Sequence, residues 1–304
     1  MERQKRGVGS RLHRRWCAAW SAVLCLALAP PAPAQPQDGL GSTGILPPIL
    51  VIVDPFGVAM LHPTRLGGET WFLSSNPLGD PRFEPQHPIT RNPDGSWKIR
   101  HNEVRLSVFT STGYSQSRIA SYNRDVLARQ GYMQAPNDWK NVEMTGYVRL
   151  NQAASPDDNF SWYARGGQHT GGEGCEGSAY KGALHYDGRV RWQKEMWHVR
   201  YAQSRFSQLA ELKRGEWVGF KAIMRNTSDG RVRLQLWVDE DANKLRWREV
   251  EDIYDQGDWG EDSMPCPGSS AKMPITWGGP IAVFRWDNAP DVDFKWLSVR
   301  EIWP

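Results

Sequence analysis

Between Phe160 and His198 the chain concentrates side chains able to hold an anion and move a proton. Tyr163, Arg165, Gln168 and His169 come first, then Tyr180, Lys181, His185 and Tyr186, then Trp192, Lys194 and Glu195. A strand alternates its side chains, so Tyr163, Arg165 and His169, separated by even numbers, are expected on one face. Such groups suit β-elimination from a uronic-acid polysaccharide. A guanidinium or amide neutralises the sugar carboxylate and acidifies the C5 proton, a His or Tyr takes that proton, and a Tyr protonates the departing oxygen. Arg165 and Gln168 fit the first role, His169 the second and Tyr186 the third. Tyr163, Tyr180, Lys181, Lys194, Trp192 and Trp237 are the expected substrate contacts. The scheme requires no metal and no cofactor. A structural reading stands beside it: Tyr and Trp on strands commonly pack against neighbours, and Gly166-Gly167 and Gly171-Gly172 can mark a bulge and a loop.

Other chemistries find less support. The Glu-x-Asp-x-Glu strand by which many sandwich hydrolases supply two carboxyl groups is absent. Serine-hydrolase elbows, phosphate-binding glycine loops and metalloprotease His-Glu helices are missing too. Asp239-Glu240-Asp241-Ala242-Asn243 alternates oxygen ligands that could hold a structural calcium, but it lacks the glycine and terminal glutamate of an EF-hand loop and reads equally as an acidic hairpin tip. Asp252 to Asp262 is ambiguous in the same way.

The elements that must position these residues are strands. Val142, Met144, Val148 and Leu150 share one face, with Glu143, Thr145, Tyr147 and Arg149 opposite. Val218, Phe220, Ala222 and Met224 repeat the pattern, as do Val232, Leu234, Leu236 and Val238, with Trp237 on the other side. Asn226 to Gly230 and Tyr186 to Arg189 read as hairpin turns, the second carrying Asp-Gly. One short helix is expected at Arg124 to Gln130, between an Asn123 N-cap and a Gly131 stop. Many strands with turns about every ten residues predict an all-β, two-sheet antiparallel sandwich.

The N-terminus predicts export. A basic segment precedes an apolar run from Trp16 to Ala29 and then Ala32-Pro33-Ala34, so residues 1–34 read as a signal peptide. That run is too short for a permanent bilayer anchor, and the expected location is secreted or periplasmic. Residues 35–48, rich in Gly, Pro and Gln, read as a flexible linker, and 49–304 as a single domain. The full chain has 37 Lys/Arg and 34 Asp/Glu, of which residues 1–34 hold six and one, leaving 31 basic and 33 acidic side chains, net −2. This balance argues against nucleic acid and membrane surfaces as partners. Cys175 and Cys266 remain as one pair in an oxidising compartment, and a disulfide between them would contribute about 4–5 kcal/mol by loop entropy. Fourteen of the sixteen Trp follow the signal segment, which offers many flat faces to carbohydrate.

The block from Asn141-Val142-Glu143-Met144-Thr145 through Trp217-Val218-Gly219-Phe220-Lys221 to Asp291-Val292-Asp293-Phe294-Lys295 and Val299-Arg300-Glu301-Ile302 resembles secreted concanavalin A-like jelly rolls associated with carbohydrate. Within that superfamily, alginate-lyase-like polysaccharide lyases carry an Arg-rich strand, a Gln-x-His strand and a Tyr-(Phe)-Lys-x-Gly-x-Tyr strand. The resemblance matches these to Arg149 or Arg165, to Gln168-His169, and to Tyr180-Lys181-Gly182 through Tyr186. Here Gln168 and His169 are adjacent and Lys181 follows Tyr180 directly, so convergence of the first pair needs a bulge. The resemblance implies a jelly roll acting on an acidic polysaccharide as a lyase, and a monomer is expected. A non-catalytic carbohydrate-binding module or an extracellular structural domain is the alternative.

Overall fold

The computed structural model describes residues 51–111, 139–166, 177–208, 212–260 and 272–304. The expected signal peptide and linker, the helix expected at 124–130, Gln168, His169, Cys175 and Cys266 all lie outside the described residues. Among the described residues sixteen strands occur in chain order: β1 (Thr70–Phe72), β2 (Phe83–Pro85), β3 (Ile89–Arg91), β4 (Trp97–Ile99), β5 (Glu103–Phe109), β6 (Val142–Gln152), β7 (Asn159–Gly166) and β8 (Ser178–His185). They continue with β9 (Arg189–Met196), β10 (Arg200–Gln203), β11 (Ser207–Gln208), β12 (Trp217–Asn226), β13 (Val232–Asp239), β14 (Arg248–Asp255), β15 (Ile281–Asp287) and β16 (Asp291–Glu301). The helical content among the described residues is one 3-10 turn, Pro77–Gly79. No helix there is long and apolar enough to cross a membrane.

Two antiparallel sheets form a jelly-roll sandwich. Sheet 1 runs β14-β13-β12-β6-β16-β4-β3, with β1 also on β16; sheet 2 runs β10-β9-β8-β7-β15-β5-β2, with β11 also on β9. Both expected hairpin turns are present, and Gly188 and Gly230 take φ of +86° and +85°, a region open to glycine at no steric cost. The apolar faces read from alternation meet at the centre, where Met144, Val148, Phe220, Leu234 and Leu236 pack with Trp162, Leu184, Trp192 and Phe284 of sheet 2.

The outer face of sheet 1 differs from the expectation of one packed face. Glu143, Thr145 and Lys221 are as buried as the core, beneath the segment that leads into β1. Glu143 accepts from the backbone N–H of Leu61 and His62 at 3.3 and 3.0 Å, and pairs with Lys221 at 2.7 Å and Arg300 at 2.8 Å. Burial pushes its carboxyl up, but the two cations win and hold it at about 2. Charges fully compensated in this way can be covered by chain, which alternation alone does not reveal.

Candidate functional site

A cleft of about 740 Å³ crosses the outer face of sheet 2. Inward-facing Phe160, Trp162 and Leu184 fill the core, so the intervening positions line the outside. Cross-strand register sets these in two rows. Ser107, Val283, Tyr163, Lys181 and Gln193 form one; Arg105, Arg285, Ser161, Ala183 and Arg191 form the next. Arg105 and Arg285 share the carboxylate of Asp287, at 2.7 and 2.5 Å, so two guanidiniums lean on one anion of the same face. Lys181 lies over the rings of Tyr163 and Tyr201 at 5.3 and 5.6 Å.

At the end of the cleft nearest β10 stands a group able to move protons. The strand pairing sets Glu195 opposite Tyr201, and the turn between them carries His198. Glu195 Oε1 lies 2.9 Å from His198 Nδ1, and its other oxygen lies 2.5 Å from Lys181 Nζ. Tyr201 Oη lies 2.9 Å from the same His198 nitrogen and donates to Glu195 at 3.3 Å. Burial acts against the Glu195 charge, but the bond to His198 and the Lys181 ammonium hold its carboxyl at about 2. An anion facing Nδ1 keeps the proton there and leaves Nε2 as the basic nitrogen. Burial and the Glu195 charge raise the Tyr201 hydroxyl above its ordinary value, so it stays a phenol with a proton to give. Burial likewise brings Tyr163 up to about 12.

The turn itself is strained. Trp197 and His198 have φ of +54° and +55°, although neither is Gly or Asn. Trp197 is sealed in the core and stacks on Trp277 at 5.5 Å, which holds the conformation. Non-glycine residues in this region cost about 1–3 kcal/mol each and gather at functional sites.

The structure separates several residues that the sequence groups together. Tyr163 and Lys181 line the cleft. Arg165 does not share their face: a register shift between Ile281 and Val283 opposite β7, with φ of +73° at Arg165, turns it into the interior. There its guanidinium donates to the Ile275 carbonyl at 2.5 Å, Asn226 at 2.6 Å and Asn141 at 3.3 Å. Tyr180 and Lys194 also point inward, both bonded to Asp255, at 2.5 and 2.7 Å. Trp192 is core. Tyr186 is buried, and its hydroxyl donates to the Asp287 carbonyl at 2.7 Å. Trp237 is on the outer face of sheet 1, the far side of the molecule, since Leu236 and Val238 beside it face the core. Arg149 is on that face too, bound to Asp293. Thus Arg165, Tyr186, Tyr180, Lys194 and Trp192 are framework, Trp237 lies on the face opposite the cleft, and Gln168 and His169 lie outside the described residues.

Sequence alone favours a structural role over a functional one for His198 and singles out no role for Tyr201. The clue was present: Glu195 and His198 three residues apart at the end of a strand, then a Tyr three further on. Among the described residues no group of three or more His, Cys, Asp or Glu could hold a metal. At the Asp239–Asn243 tip, Asp239 is used by the Tyr147 hydroxyl and the Lys244 N–H, Asp241 by Arg246 and Glu240 by Arg248.

No family model and no curated protein matches the chain. Solved structures do. Alginate lyase Aly36B is 11% identical, with 77% of this chain and 93% of that one covered at a TM-score of 0.38. Peanut lectin with a 9mer peptide is 10% identical, with 77% and 98% covered at 0.35. The metal-free Emp46p carbohydrate recognition domain is 8% identical, with 72% and 87% covered at 0.37.

Proposed function

We propose that this protein is exported, binds an acidic polysaccharide across the outer face of sheet 2, and cleaves it by β-elimination. The observation that carries this is the Glu195–His198–Tyr201 group at one end of a cleft whose other wall presents Arg105 and Arg285. A uronate carboxylate set against the guanidiniums has its charge neutralised, so the adjacent C5–H becomes more acidic. His198 Nε2 takes that proton. The C5 electron pair forms the C4=C5 double bond as the C4–O bond breaks, and the Tyr201 phenol protonates the departing oxygen. Glu195 stabilises the imidazolium that results.

The test is incubation with alginate, glucuronan, pectate and a neutral glucan, following ultraviolet absorbance of the unsaturated product. New double bonds are expected with a polyuronate and not with the glucan. His198→Ala and Tyr201→Phe should each slow turnover by about 10²–10⁴-fold with retardation in a polyuronate affinity gel retained. Retardation without any double bond leaves a non-catalytic binding module; no retardation removes the polysaccharide reading.

A further inference from the structure

The second cross-strand row ends in a guanidinium that has no function in the scheme above. Arg191 on β9 belongs to the row that begins with Arg105 and Arg285, and only Ser161 and Ala183 stand between. Both are small and buried, so they floor a trough with cations at either end. Arg285 and Arg191 are three strand spacings apart, about 14 Å at about 4.8 Å each. Among the described residues Arg191 makes no hydrogen bond or ion pair; its contact is with the ring of Phe206, 4.3 Å from the guanidinium carbon. Arg189 lies over the same ring at 4.3 Å and is itself engaged by Asp187 and Asp157.

Stacking on an aromatic ring uses the face of a guanidinium and leaves its in-plane N–H groups unspent, the edge that grips a carboxylate in a two-pronged pair. The stack is preorganised. Phe206 is held by flanking hydroxyls, since Ser204 and Ser207 donate to Glu251 of β14 at 3.0 and 2.8 Å. Burial and the neighbouring Arg189 charge both push the Arg191 pKa down, as expected of a cation lacking its anion.

We infer that Arg191, stacked on Phe206, forms a second carboxylate subsite for the same glycan chain, so that the ligand is a polymer acidic at more than one sugar along the trough. This rests on the polysaccharide reading above.

The experiment compares the affinity of di- and hexasaccharides of mannuronate, glucuronate and galacturonate for wild type, Arg191→Ala and Arg191→Lys. Wild type should prefer a hexasaccharide to its disaccharide. Arg191→Ala should lower hexasaccharide affinity about tenfold and shrink the hexasaccharide-to-disaccharide ratio accordingly. Arg191→Lys keeps the charge without the fork and should lose a smaller factor, which covers the case of an unfolded alanine variant. A ratio unchanged in both variants, beside normal wild-type binding, overturns the subsite alone. Wild type that binds none of the six oligosaccharides overturns the subsite together with the reading it rests on.

Discussion

Nδ1 of His198 lies 2.9 Å from Oε1 of Glu195, three residues earlier and at the end of the preceding strand. The turn between them inverts the chain so that Tyr201 falls opposite Glu195 in the register. Three titratable groups thereby converge within seven residues of sequence, on the wall of the cleft.

In the elimination scheme Glu195 is a positioning residue. Glu195→Gln removes the anion that orients His198 and faces Lys181. Turnover should fall by roughly 10–100-fold, by analogy with other partners that orient a catalytic His. The check is the elimination rate against pH, whose limb set by the base should move toward higher proton affinity in wild type than in the variant.

His198→Asn separates chemistry from folding. Asn adopts positive φ more readily than His, so the thermal midpoint should hold or rise by up to about 4 °C while turnover is lost. A large fall in the midpoint would make His198 a structural turn residue.

Lys194→Ala tests the inward placement of a residue that sequence suggests as a substrate contact. Lys194 and Asp255 are both fully buried and 2.7 Å apart. Removing one partner strands the other charge and should cost about 3–5 kcal/mol, read by chemical denaturation. Lys194→Met with Asp255→Leu should recover part of that loss, though the Tyr180 hydroxyl loses its acceptor.

Gly166 borders the cleft, and a Cβ there would lie 2.0 Å from the carbonyl oxygen of Ser178. Backbone must move to admit it. Gly166→Ala should destabilise by about 1–3 kcal/mol and raise KM, measured by thermal melting and by kinetics on a polyuronate.

Acid should unfold the protein in a defined window. Glu195, Glu143 and Asp293 are each held at about 2 against the upward push of burial, by Lys181 and His198, by Lys221 and Arg300, and by Asn151, Lys98, Asn92 and Arg149 respectively. Their folded values lie below the ordinary 4.5, 4.5 and 3.8, so the stability they contribute is complete above about pH 4.5 and is lost as pH falls through about 2. Thermal midpoints should stay level from neutrality to about pH 5 and then drop; a steady decline already at pH 6 would contradict this.

Alternation and turn chemistry are local, so the core-facing sides of β6, β12 and β13 and two hairpins are legible in the sequence: Val142 to Leu150 and Val232 to Val238 bury the faces their period demands. Tyr163 and Lys181, which the sequence singles out, line the cleft. Tertiary structure decided the rest. The bulge that turns Arg165 inward exists only against β15, more than a hundred residues away. Glu143 and Lys221 are buried because chain from before β1 crosses them. Arg105, Arg285 and Arg191 share a row solely through long-range register. Whether a polar side chain meets water, core or a partner depends on what another segment brings to it, and a period of two carries no record of that.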